Sequence, residues 1–416
     1  MKVTLPKDFI YQILLFVSVF VPYLNNYELT FCVWSLATLI TFQNKLSLEI
    51  LKHLACYISI FLIAVFSSFW YDHEAYFIIR DITYISKPII GLLLGYQLAK
   101  KLNAKTLKVV VIIGLLIACY HIYIILYSVL FYSVSNINEL RYFAGFFSDF
   151  EVYTLILLVF HDKFELHYPR KKLILYIILI GFSTFMYLAR TNFIQFLILL
   201  IAMKGFLKIN VKSITVLASI VLLSIIGYAT ILYINPKRNG EGLEAFLYKI
   251  KVAPIEPFKT KIKRDDWKDF NDNYRSYENI MTVRQMTNDG YKSLIFGQGL
   301  GSQIDLKQKL MLGDMELRFI SILHNGFMTV LLKSGLIGVI LLIISIYLIF
   351  IKKKSQIPLV NNLNLLMIGS GVYMIVSYWV FMGYYFAADT KSIFFGLIIC
   401  YRELVLKESK VKNEYD

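Results

Sequence analysis

Twelve apolar runs constrain this chain more than any other feature. They lie at roughly 9–23, 29–42, 53–70, 75–99, 107–130, 146–161, 173–189, 191–203, 214–234, 326–351, 358–382 and 391–405. Crossing the hydrocarbon core of a bilayer takes about 20 helical residues, and several runs reach that length. Of the 416 residues, 58% are hydrophobic and 17% are charged. Ordinary soluble domains are roughly 45–50% apolar and about 25% charged. A soluble fold cannot cover that much apolar surface, whereas lipid replaces the water around it. The expected fold class is an all-α polytopic membrane protein of about 12 transmembrane helices (range 10–12). The runs 173–189 and 191–203 are short and meet at Arg190, so the second is expected to be broken, partly re-entrant or extended by its flanks.

Charge orients the runs. The net charge is +15, and most of it sits in alternate linkers. Lys2 and Lys7 precede the first run, and Lys45 and Lys52 follow the second. Lys100, Lys101, Lys105 and Lys108 follow the fourth, and Lys163, Arg170, Lys171 and Lys172 the sixth. Lys204, Lys208 and Lys212 follow the eighth, Lys352, Lys353 and Lys354 the tenth, and Lys407, Lys410 and Lys412 lie in the tail. By the positive-inside rule both termini are cytoplasmic. No small-residue cleavage site follows the first run, which is expected to be retained as a helix. The expected organisation is helices over 1–234, a long extracytoplasmic loop over 235–325 with helical stretches such as 273–296, and helices plus a tail over 326–416. A loop of that length is usually functional or carries its own structure. The shorter outer linkers include 25–28, 70–74, 131–145 and 382–391. No basic stripe interleaved with stacking aromatics is present, which argues against a nucleic-acid partner. Cys32, Cys56, Cys119 and Cys400 all fall inside apolar runs and read as packing residues, with neither metal nor disulfide spacing.

Several polar features share the outer side. Arg141 precedes the sixth run, and Arg190 sits between two apolar helices, where a guanidinium is costly unless paired or solvated. Arg284 lies in the long loop, ahead of Gly297, Gly299 and Gly301. His324 stands where the loop re-enters the membrane, beside Asn325, an equally good helix cap. The three glycines fit either a phosphate-cradling loop or tight turns. Asp72, His73 and Glu74 are adjacent in sequence and cannot easily converge on one metal ion.

The string LHNGFMTVLLKSGLIGVI (323–340) resembles a signature of the O-antigen ligase and polymerase superfamily, with His324, Asn325, Gly335, Leu336, Ile337 and Gly338 matching and Ser334 replacing a common acidic residue. LIFGQGLGS (294–302) is similar to the family's Gly-x-Gly element upstream of that histidine. LARTNFIQFLI (188–198) resembles its Arg-small element, with Ala189 in place of Ser. RYFAGFFSDFEVYTLILL (141–158) resembles a further element through Arg141, Gly145, Phe147 and Asp149, with Phe150 and Glu151 replacing Pro-Asn.

This resemblance implies a metal-independent, GT-C-like glycosyl transfer without cofactor, on the outer face of the cytoplasmic (inner) membrane. The donor is an undecaprenyl-pyrophosphate-linked oligosaccharide. Arg190 and Arg284, with Arg141 and Arg318 behind them, are the expected pyrophosphate ligands, and His324 the expected catalytic base. Fixed guanidiniums can grip a diphosphate in two-pronged fashion and stabilise the charge that grows as the glycosidic bond breaks. An imidazole can take the proton of the acceptor hydroxyl. The expected activity is that of a surface-polysaccharide (O-antigen or capsule repeat unit) polymerase. Its expected partners are the lipid-linked oligosaccharide, membrane lipid and a chain-length regulator protein. The alternatives are an O-antigen ligase acting on lipid A-core, or a non-enzymatic lipid-linked oligosaccharide flippase. Such transporters are often built from repeated halves, and no repeat is visible here.

Overall fold

The computed structural model describes residues 8–415 apart from 135–136, 146–147, 208–210, 239–242, 255, 257–258, 260, 263–266 and 313–314. Lys2, Lys7, Phe147 and Lys208 lie outside the described residues. In chain order the helices are α1 (Phe9–Phe20), α2 (Tyr27–Thr41), α3 (Leu48–Ser68), α4 (Ala75–Leu102), α5 (Thr106–Tyr132), α6 (Ile137–Ala144), α7 (Asp149–Val159), α8 (Arg170–Met186), α9 (Arg190–Met203), α10 (Val211–Ile234), α11 (Leu243–Val252), α12 (Trp267–Asp272), α13 (Tyr274–Asn288) and α14 (Tyr291–Phe296). A β-hairpin, β1 (Ile304–Leu312) and β2 (Met315–Ile320), follows, and then α15 (Gly326–Ile349), α16 (Pro358–Phe381) and α17 (Lys391–Tyr415). Each apolar run of the sequence falls on a helix. Among the described residues five helical stretches are long and apolar enough to cross a membrane: Leu48–Ser68, Ala75–Tyr132 (which takes in both α4 and α5), Val211–Ile234, Gly326–Ile349 and Pro358–Phe381. The fold is thus helical and suited to a membrane, with one small hairpin.

Small residues let the helices approach. A Cβ on Gly95 would lie 2.0 Å from the Ile393 carbonyl, and one on Gly396 would lie 2.2 Å from that of Leu92. Helix α4 therefore crosses α17 nearly backbone to backbone, which is how helices associate where lipid removes the hydrophobic drive between them. Gly369 of α16 meets Ala202 of α9 in the same way.

The linkers gather at two ends. At one end Lys105 pairs with Asp8 at 2.5 Å, Lys353 pairs with Glu49 at 3.0 Å, Lys100 donates to the Lys45 carbonyl at 2.6 Å and Lys163 to that of Met203 at 2.5 Å. These are the basic linkers of the sequence. At the other end Ser67 Oγ donates to the Phe296 carbonyl at 2.6 Å, and Met382 N donates to that of His324 at 3.0 Å.

The long segment 235–325 has its own small core. Phe270, Tyr277, Met281, Met286, Ile304 and Leu306 bury against one another and against Leu332 of α15. The hairpin was not anticipated. Its signal is the alternation Ile304, Leu306 and Leu310, Leu312, interrupted by the register shift between Asp305 and Leu310. The linker 382–391 also departs from expectation. It is tucked inside, with Tyr384, Tyr385 and Asp389 buried, because the Lys87 ammonium caps the Phe386 and Ala387 carbonyls at 2.5 and 2.6 Å.

The segment is fastened to the bundle at a break in α15. Gly335 is non-helical there, with φ +64° and ψ −165°. Gln298 N and Gly299 N donate to the freed Leu332 and Lys333 carbonyls at 2.8 and 3.1 Å. A Cβ on Gly335 would lie 2.2 Å from the Ile295 carbonyl. Gly335→Ala combines a left-handed φ with that clash, each costing about 1–3 kcal/mol. It should lower the melting temperature of the purified protein sharply, whereas Gly227→Ala, with open space around its Cβ position, should not.

Candidate functional site

Arg190 is the first residue of α9, after a tight turn in which Leu188 has φ +48°. Buried polar contacts hold that turn. Asn192 Nδ2 donates to the Thr184 carbonyl at 3.0 Å, and Tyr187 donates to the buried Glu151 carboxyl at 2.9 Å while its ring stacks on His121 at 3.6 Å. Next to Glu151, Asp149 pairs with the buried Lys391 at 2.5 Å, and Lys391 also pairs with Asp389 at 2.7 Å. Glu151 thus braces the turn that carries Arg190.

Two further guanidiniums lie within electrostatic reach of Arg190. Burial and the neighbouring Arg190 both draw the Arg141 guanidinium below its usual value. Arg190 in turn lies within electrostatic reach of Arg275 and Glu256. Arg275, on α13, stands 3.8 Å from Glu256 and lies over the Phe381 ring at 5.8 Å. Phe381 packs against Tyr187 and Ala189, immediately before Arg190. Helix α13 therefore lays one face over the outer end of α9.

The same face carries a second group. Glu278 is three residues from Arg275 and so lies on the same side of the helix. Its carboxylate, 1% exposed, receives His324 Nδ1 at 3.0 Å and the His324 backbone N–H at 3.2 Å. The Tyr274 ring meets the imidazole edge-on at 5.7 Å. Asn325 is the cap of α15, its Oδ1 accepting from Phe327 N at 2.9 Å and Met328 N at 3.2 Å. His324 is thereby released from capping. A proton on Nδ1 donates to Glu278 and leaves Nε2 as an acceptor on a side chain that is 41% exposed.

The sequence-predicted residues separate accordingly. Arg141, Arg190 and His324 reach this end together. Arg284 is exposed. It lies nine residues from Arg275, about two and a half turns, and so on the opposite face of α13. Arg318 of β2 is committed to Asp305, with Nε–Oδ1 at 2.8 Å and Nη2–Oδ2 at 2.9 Å. Sequence reasoning missed Arg275 and Glu278. The available signal was Glu278 itself, a carboxylate in register with the buried face formed by Tyr277, Met281 and Thr282.

The glycines do not cradle phosphate. The backbone N–H groups of Gln298, Gly299, Leu300 and Gly301 all donate to protein acceptors, the last to Asp81 Oδ2 at 2.7 Å. That carboxylate also takes the buried Lys333 ammonium at 2.5 Å. His73 Nε2 meets the Gln298 carbonyl at 2.8 Å, a docking contact. Among the described residues no cluster of His, Cys, Asp and Glu has metal-binding geometry.

No family model matches this chain, and no curated protein matches it significantly.

The Arg318 fork holds the Asp305 carboxyl well below the usual carboxylate range. A depressed folded value stabilises the hairpin above the unfolded value of about 3.9 and is lost as pH falls through the folded value. Protection factors for amide exchange in 304–312 and 315–320, taken against the intrinsic rate at each pH, should therefore fall below about pH 4, and Asp305→Asn should show the lower protection already at pH 7.

Proposed function

We propose that the chain is a surface-polysaccharide polymerase. In this reading it moves a glycan from undecaprenyl pyrophosphate onto a lipid-linked repeat unit, at the outer face of the cytoplasmic membrane. The observation that carries it is the electrostatic linkage of Arg141 and Arg275 to Arg190, with Arg275 on the same face of α13 as Glu278, the partner of His324. The motif resemblance and the sorting of basic linkers to the opposite end support it. In the same reading the twelve apolar helices all cross and both termini are cytoplasmic.

The chemistry follows from the groups. The guanidiniums bind the diphosphate, whose bridging oxygen gains charge as the bond to the anomeric carbon breaks. His324 Nε2 takes the proton of the acceptor hydroxyl as that oxygen bonds to the anomeric carbon. Glu278 orients the imidazole and stabilises the imidazolium, as a buried carboxylate does for catalytic histidines. The electron pair of the broken bond leaves on the pyrophosphate. His324 belongs to the catalytic group, Arg141, Arg190 and Arg275 to donor binding, and Glu278 to positioning.

Deleting the gene in its host and following the lipid-anchored polysaccharide on a gel tests this. Loss of the long-chain ladder, with one repeat unit still attached to core, is expected. Bare core with polymer retained on the lipid carrier would instead mean an O-antigen ligase, and an unchanged ladder would overturn both. In membranes, Arg190→Ala, Arg275→Ala and His324→Ala should each lower the transfer rate by about 100-fold or more. Glu278→Gln should cost kcat more than KM. Arg284→Ala and Arg318→Ala should stay within about threefold of wild type, since neither side chain faces the site.

A further inference from the structure

Close in sequence to His324, at Ser321, is a second arrangement that the reaction has not used. Arg80, near the outer end of α4, donates through Nη2 to Ser321 Oγ, three residues before His324. Its guanidinium lies over three rings of its own helix, Phe77 at 4.8 Å, Tyr76 at 5.8 Å and Tyr84 at 6.0 Å. Tyr27 of α2 packs on Tyr84 with centroids 3.9 Å apart, and its hydroxyl donates to the Tyr385 carbonyl at 3.1 Å. Among the described residues no carboxylate lies within ion-pairing distance of Arg80, and its Nε is buried with no hydrogen-bond partner. The cation is thus framed by rings and left with donors to spare.

Interfacial tyrosines and arginines are common in membrane proteins and ordinarily face the headgroups. Here Tyr76 and Ile79 fill that role, at 65% and 63% exposure. Arg80, Tyr84 and Tyr27 are half-buried where α4 meets α2 and the segment leading to His324. An aromatic face stacks on the C–H face of a pyranose, and a planar guanidinium supplies a fork of donors to its hydroxyls or to a sugar carboxylate. We propose that Arg80, Tyr84 and Tyr27 form the subsite for the acceptor sugar, and that it selects which repeat unit presents its hydroxyl to His324. This rests on the glycosyl-transfer reading and adds the place of the second substrate, next to the segment that carries the base.

The test uses the full chain in nanodiscs and, as probe, the water-soluble oligosaccharide released by mild acid from the host's own lipid-linked pool. Saturation-transfer NMR and calorimetry should show binding to wild type and to His324→Ala alike. Binding should weaken at least tenfold in Arg80→Ala and Tyr84→Ala. In transfer assays the KM for acceptor should rise about tenfold in both, with kcat and the KM for donor within twofold. Should either variant lose its wild-type melting temperature, Arg80→Lys, which keeps the charge and loses the planar fork, replaces it with the same expectation at smaller size. Unchanged binding in these variants, or no binding to wild type, overturns the subsite. Binding that follows the anionic-lipid content of the nanodisc rather than the oligosaccharide also overturns it, and makes Arg80 a headgroup contact. Failure of the glycosyl-transfer reading shows separately, as an unchanged ladder on gene deletion and no transfer by the wild-type chain.

Discussion

The break in α15 at Gly335 is the constraint from which the rest of the outer architecture follows. Interrupting a helix inside a bundle frees carbonyls that lipid cannot satisfy, and each costs several kcal/mol if left bare. The chain fills them with the N–H groups of Gln298 and Gly299, delivered by a loop whose three glycines have φ between +81° and +85°. Lys333, at the break itself, is neutralised by Asp81 of α4, and Asp81 also receives Gly301 N. One set of contacts therefore joins α4, α15 and the outer segment. The glycines can adopt that loop because a left-handed φ costs them nothing, and at Gly297 a Cβ would lie 2.5 Å from the Lys333 carbonyl carbon.

That anchor decides where α13 lies, and α13 decides what the site is made of. The loop leads back through α14 to α13, whose buried face packs on β1 and on Leu332. In that pose Arg275 and Glu278 turn toward the bundle and Arg284 turns to solvent. Bringing like-charged guanidiniums near one another costs Coulomb energy. A bundle that braces the turn before Arg190 with buried hydrogen bonds, and a separate layer that brings Arg275 within its electrostatic reach, together set where these charges stand.

This explains what could be read from the chain and what could not. Apolar runs and alternating charge are local properties, so the helices and the two ends were legible, down to the short pair meeting at Arg190. Arg141, Arg190 and His324 were legible because each stands at the edge of an apolar run, where a polar residue needs a reason. Inside 235–325 that contrast vanishes. Charges are frequent there, and Arg284 looked no different from Arg275. Only the helix phase relative to Tyr277 and Met281 separates them, and that phase acquires meaning once the packing partner is known. The glycine string and the Ser334–Gly335 pair were noticed as separate motifs, yet they are the two halves of one contact.

The placement of Arg275 and Glu278 on one helix has a consequence for the chemistry. Residues three apart on a helix hold their Cβ atoms about 5–6 Å from each other. The carboxylate that holds His324 is therefore carried at a set spacing from the Arg275 side chain. In the proposed glycosyl transfer these two residues would serve the base and the leaving group. A rigid helix sets such a spacing more precisely than a loop can. Because α13 carries both Arg275 and Glu278, whatever moves α13 moves both together and preserves their relation. The buried Glu278 carboxylate, bonded to both the ring and the backbone of His324, ties that relation to the first turn of α15, and so back to the helix whose break holds the outer layer in place.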